Sequence, residues 1–109
     1  MFQLLTCFDL KPEISLADFQ QSLIEYTAYM HGLDLVDSNG PIGLRQSDTI
    51  MDTDDERNHS YFMIMYFRDR EQCDNAVTYI EAHKEPGDSI HKELYSKVQN
   101  PIFICWQDI

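Results

Sequence analysis

The sequence predicts a single α+β domain with the element order βαββαβ, and three features carry that prediction. Tyr61-Phe62-Met63-Ile64-Met65-Tyr66-Phe67 is an uninterrupted apolar run of seven residues, the pattern of a strand buried on both faces. Two amphipathic stretches open on helix-capping residues, Ser15 and Asp69, and each follows an apolar, strand-like run. The strand–helix–strand units so defined occur twice in tandem, and the second strand of each begins Pro-Ile, at Pro41-Ile42 and at Pro101-Ile102.

Taken in order, Phe2 to Leu10 is an apolar strand that ends at Lys11-Pro12. Ser15 supplies an N-cap with Asp18 three residues on, and Leu16, Phe19, Leu23, Tyr26 and Met30 follow at helical spacing. Gly32 should stop this helix, with His31 near its negative end. After the turn cluster Asp37-Ser38-Asn39-Gly40, Ile42 to Gln46 reads as an edge strand, because proline at its start cannot donate to a ladder. Ser47 to Ser60 is polar and acidic, with Asp48, Asp52, Asp54, Asp55 and Glu56, and reads as a solvated loop. The apolar third strand follows. Asp69 then caps a second helix that turns Cys73, Ala76, Val77 and Ile80 inward and breaks at Pro86-Gly87. A third, shorter helix runs from the cap candidate Asp88 to about Val98, and Asn100-Pro101 introduces the last strand, Ile102 to Trp106.

Right-handed crossovers place the helices on one face of a four-stranded antiparallel sheet with the first and third strands central, the ferredoxin-like arrangement. The other face should be polar in a monomer. Neither parity of the third strand is polar: Tyr61, Met63, Met65 and Phe67 oppose Phe62, Ile64 and Tyr66. An open apolar face of this size requires a cover, so the expectation is a homodimer packed sheet on sheet, burying on the order of 1,600 Å² or more.

The chain of 109 residues is long enough for one ordinary core and not for two, so residues 1–109 form one domain. Its formal charge is −11, from 19 acidic and 8 basic side chains, while 43% of residues are hydrophobic. That balance excludes a disordered acidic tail, and it makes nucleic acid and anionic membrane surfaces unsuitable partners. Met1 to Leu44 holds six acids against one base, Arg45 to Ser60 five against two, and Tyr61 to Ile109 eight against five. The charge therefore reads as a solubility shell around an uncharged sheet. The first residues lack the basic and apolar regions of a signal peptide, and no run approaches the ~20 apolar residues of a membrane span, so the expected location is cytoplasmic. Cys7, Cys73 and Cys105 form no CxxC pair and read as small buried hydrophobes.

The opening Phe2-Gln3-Leu4-Leu5-Thr6-Cys7-Phe8-Asp9-Leu10-Lys11-Pro12, the strand–helix order and the two-sided apolar third strand resemble the dimeric α/β-barrel superfamily. That group includes antibiotic-biosynthesis monooxygenases that need no cofactor, haem-degrading monooxygenases and stress-responsive barrel proteins. The long acidic loop and the extra helix from Asp88 depart from its pattern, which points to an uncharacterised branch. The resemblance implies homodimerisation and, without cofactor or metal, monooxygenase-like chemistry that uses a histidine or tyrosine for proton transfer.

Other users of this topology are set aside by their motifs. The third strand lacks the glycines and base of an RNA-recognition strand, and Asp9 to Ser15 has neither the cysteines of a soft-metal carrier nor the glycines and arginine of a phosphate cradle. Asp52, Asp54 and Glu56 have calcium-loop spacing, but Arg57 and Met63 occupy the required glycine and glutamate positions. A metal site built on His83, His91 and an acid would need geometry that spacing does not supply.

A cleft on the open sheet face would take a small apolar or aromatic molecule, and the side chains expected there follow from the strands. His59, His83 and Tyr66 are the candidates for acid–base work, against ordinary capping, helix-end and interface roles. Arg45, Tyr61, Met63, Met65 and Trp106 are the candidate ligand contacts, with Arg45 alternatively paired to the acidic loop. The rival reading is a non-catalytic dimeric interaction protein whose acidic loop meets a basic partner. A haem-handling protein would need His31, His83 or His91 turned toward the cleft.

Overall fold

The computed structural model describes all of residues 1–109. It comprises β1 (Phe2–Leu10), α1 (Leu16–Gly32), β2 (Ser38–Asn39), β3 (Gly43–Leu44), β4 (Tyr61–Phe67), α2 (Arg70–Glu81), α3 (Gly87–Tyr95) and β5 (Val98–Gln107). The strands form one antiparallel sheet in the order β2-β4-β1-β5, with β3 also on β4, so β1 and β4 are central as the ferredoxin-like topology requires.

Two of the three sequence-predicted caps are in place; Asp88 lies instead inside the first turn of α3, whose N-cap position is Pro86 with no side-chain cap bond. Ser15 accepts from the Asp18 N–H at 3.1 Å and Asp69 from the Gln72 N–H at 2.8 Å, each satisfying a donor that the first turn leaves free. Gln72 is buried and uses its amide fully: Oε1 accepts from the Arg68 N–H at 2.7 Å and Nε2 donates to the Asp34 carbonyl at 3.1 Å.

Cross-strand partners share a face, so the register sorts the side chains. Phe2, Leu4, Thr6 and Phe8 lie opposite Phe67, Met65, Met63 and Tyr61, and these point to the helices. Phe8, Phe19, Met30, Val36 and Leu94 are wholly buried between sheet and α1, with the Phe8 and Phe19 rings 4.9 Å apart. The other face carries Leu5, Cys7, Phe62, Ile64 and Tyr66, continued on β5 by Ile102, Ile104 and Trp106. No element covers it, and Trp106 is 58% exposed.

Three element boundaries differ from the sequence reading, each for a local reason. The second strand is two short pieces rather than Ile42 to Gln46, since Pro41 between them has no N–H and the ladder lapses there. The second helix ends at Glu81, well before Pro86, because His83 adopts a left-handed φ of 52°. The last strand begins at Val98, and Asn100 and Pro101 lie within it. Three β5 residues span the step from Ile102 to Gln99 where β1 takes two from Cys7 to Asp9, so the strand carries a bulge. Asn100 has φ 55°, a conformation asparagine tolerates, and the bulge admits a proline that a regular ladder would reject.

Candidate functional site

α1 seals its part of the sheet, but α2 does not. Of the α2 residues expected to face inward only Ala76 is buried; Cys73 and Ile80 are half-buried, and Val77 is 48% exposed. The space so left, bounded by α2, α3 and the helix-side face of the sheet, is a cavity of about 530 Å³. Leu4, Met65, Phe67, Val98 and Phe103 form its floor, and Ala76, Val77 and Ile80 its α2 wall. Such a volume is in the usual range for a small-molecule site.

Three polar groups cluster in this apolar lining. Tyr26 on α1 and His91 and Tyr95 on α3 pack ring to ring, with centroids 5.9 Å apart for Tyr26 and His91, 6.2 Å for Tyr26 and Tyr95, and 4.8 Å for His91 and Tyr95. Neither hydroxyl and neither ring nitrogen of His91 is hydrogen-bonded to another protein group, whereas His31, His59 and His83 are each tied down. Burial raises both phenols, that of Tyr95 to about 12, so they remain protonated donors near neutral pH. Burial also lowers the pKa of His91, against the opposing pull of Asp88, and so favours a neutral imidazole with a lone pair free to accept.

The helix junctions that shape the cavity are fixed by side chains. The hydroxyls of Tyr29 and Tyr79 hydrogen-bond and join α1 to α2. Gly87 opens α3 against the Tyr79 ring, where an added Cβ would come within 2.6 Å. Asp88 accepts from Lys92 at 2.8 Å and pairs with His83 at 2.9 Å, and both partners hold its carboxyl below the usual range.

Of the candidate catalytic and ligand-contact residues named from sequence, Met65 alone lines this cavity; His91, considered there only as a metal or haem ligand, lines it too. Tyr61 and Met63 face the helices but lie in the packed α1 region, Tyr61 stacked on Phe8 at 5.7 Å. Tyr66 and Trp106 lie on the uncovered face, where one sheet by itself forms no comparable concavity. His59 is buried and bonds through Nε2 to the Asn100 carbonyl at 2.7 Å, tying the loop to β5. His83 belongs to the α2–α3 connection. Arg45 grips the acidic loop: Nε and Nη2 reach the two Asp52 oxygens at 2.6 and 2.8 Å, and the Arg57 and Asp54 carbonyls accept from the same guanidinium. The cavity of this single chain lies on the helix side of the sheet, where two layers meet without closing, whereas the cleft expected from sequence lies between the open faces of two copies. Tyr26 and Tyr95 were missed as site residues. Their signal is tyrosine where leucine or phenylalanine would pack as well, since a buried phenol needs something to bond.

The loop does not present its full charge. Asp52 is held by Arg45, and Asp54 accepts from Arg57 Nη1 at 2.9 Å, so two of its five acids are paired within the loop. No group of three or more His, Cys, Asp or Glu side chains comes together in metal-binding geometry, and His83 and His91 serve separate structures. No helix is long and apolar enough to cross a membrane.

Fold and cavity together define a small α+β protein of ferredoxin-like fold with an apolar site under its helices. Solved structures of the same fold include the Arabidopsis thaliana protein At3g17210, at a TM-score of 0.73 and 7% identity over 100% of this chain and 96% of that one. SnoaB, a cofactor-independent oxygenase from Streptomyces nogalater, matches at 0.60 and 10% identity over 99% and 92%. A dimeric protein of unknown function from Bacteroides fragilis matches at 0.52 and 9% identity over 98% and 95%. An antibiotic biosynthesis monooxygenase and further dimeric ferredoxin-like proteins also share the fold. No protein-family model matches the chain, and no curated protein is significantly similar to it in sequence.

Proposed function

We propose that the protein binds a compact apolar or aromatic molecule in the cavity under α2 and α3, and that it does so as a homodimer joined through the bare sheet face. The observation that carries the binding reading is the cavity of about 530 Å³ in which the only clustered polar groups, Tyr26, His91 and Tyr95, have no protein partner. Their polar atoms are not sealed into the core but open to this space, so they are free to bond a ligand or water. The apolar walls drive a ring system in, and the phenols donate to an oxygen on it. His91 is placed to take a proton from the bound molecule. This is the first step of the oxygenase-like chemistry that the resemblance implies, and SnoaB, of the same fold, is described as cofactor-independent. The homodimer rests on the apolar face of Leu5, Ile64, Ile102, Ile104 and Trp106 and on same-fold proteins described as dimeric.

Titration with N-phenyl-1-naphthylamine, a neutral dye that brightens in apolar sites, tests the cavity. Saturable binding is expected in the wild type, and Val77→Trp, which fills the cavity from its half-exposed wall, should weaken it at least about tenfold with an unchanged far-ultraviolet circular dichroism spectrum. Equal binding by both proteins would sink the proposal.

A further inference from the structure

We infer that the molecule taken up is a lipophilic amine, its apolar body inside the cavity and its ammonium at the mouth beside Glu81. The inference rests on the reading of the cavity as a binding site and concerns which charge that site selects.

Among the side chains that line the cavity, Glu81 is the one formal charge at neutral pH, and no lysine or arginine is present. It lies on the last turn of α2, exposed to solvent and therefore at the opening. Asp74 pairs with Arg70 at 3.1 Å, Asp88 with Lys92 and His83, and Glu93 with Lys97 at 2.6 Å, while Glu85 accepts from the Ser89 N–H at 3.3 Å and does not line the cavity. Glu81 makes no ion pair or hydrogen bond.

The rest of the lining agrees with that sign. Tyr26, Phe67, Tyr95 and Phe103 contribute aromatic rings and no positive charge to the lining, which favours an aromatic body inside it. A carboxylate ligand would meet Glu81 at the mouth, and the bases of α3 and α2, Lys92 and Arg70, are already paired with Asp88 and Asp74. At larger distance the net charge of −11 draws cations toward the surface and disfavours anions. An ammonium at the opening keeps part of its hydration, so the apolar body can be buried without the cost of burying a bare charge.

Three ligands of nearly equal shape separate charge from fit: 2-naphthylmethylamine, 2-naphthylmethanol and 2-naphthoate, each displacing the dye from full-length protein at pH 7 and low salt. The amine should bind severalfold tighter than the alcohol and at least about tenfold tighter than the acid. Glu81→Gln should bring the amine down to the level of the alcohol, and Glu81→Lys should put the acid first. Asp55→Asn, the same change in net charge on the distant loop, should preserve the order. An alcohol or acid that equals the amine, or an amine preference that survives Glu81→Gln, overturns the inference while the alcohol's own binding still supports the cavity. If none of the three displaces the dye, the inference fails while saturable dye binding that Val77→Trp weakens still supports the cavity; if the dye itself does not bind, the binding reading fails.

Discussion

The two faces of the sheet are built from the same alternating strands and end in opposite conditions. On one side Phe8 and Thr6 of β1 disappear beneath α1, and a concavity remains beside Leu4 between α2 and α3, with the buried Met65 and Phe67 at its floor. On the other side Leu5, Ile64 and Trp106 are as apolar but have nothing above them. A half-covered face produces a concavity and so a place for a small molecule. A bare face produces a plane, and a plane suits another plane. The comparison breaks most directly by charging the bare face. Ile104→Asp with Trp106→Asp should convert a species of twice 12.8 kDa into one of 12.8 kDa in sedimentation, with secondary structure retained. A wild type that already sediments at 12.8 kDa at micromolar concentration would end the dimer reading.

The covered face is itself divided, and its two halves should respond differently to the loss of side-chain volume. Phe19 is wholly buried against Phe8, so Phe19→Ala should cost about 3 to 5 kcal/mol in urea unfolding. Val77 is 48% exposed beside an existing void, and Val77→Ala should cost less than about 1 kcal/mol. Similar losses at the two sites would mean that α2 packs on the sheet as tightly as α1 does.

Much of this division can be seen in the sequence, and the part that cannot has a physical reason. Ser15 and Asp69 mark their helices because a cap is a local bargain between one side chain and one turn. The apolar alternation of Leu4, Leu5, Ile64 and Met65 shows that both faces are hydrophobic, which is why a dimer could be expected. How far α2 stands from the sheet is not local. It depends on the early end of the helix at Glu81, the left-handed turn at His83 and the Tyr29 to Tyr79 hydroxyl contact, which joins residues fifty apart. Periodicity gives the inward direction of Cys73, Val77 and Ile80 correctly, yet it carries no distance, so a wall of a cavity and a packed core read alike. The sequence shows the bare face, where a cleft between two copies is expected, and it does not show the gap on the helix side.

The smallest expected effect sharpens the comparison most, because it asks what an unpaired hydroxyl at the cavity is for. A phenol that serves the core is bonded to a protein group, and removing its oxygen leaves the partner unsatisfied at a cost of about 1 to 3 kcal/mol. The Tyr95 hydroxyl has no such partner; it borders the cavity beside Tyr26 and His91. Tyr95→Phe should therefore leave stability within about 0.5 kcal/mol of the wild type, or raise it, since an unbonded polar atom is deleted and its ring retained. The same change should weaken 2-naphthylmethanol, whose oxygen accepts from that phenol, by several fold while leaving naphthalene, which has no acceptor, unchanged. If Tyr95→Phe instead destabilises the fold by more than about 1 kcal/mol and binds both ligands as the wild type does, the hydroxyl is a structural group. The polar end of the cavity would then be a feature of the core rather than of a site.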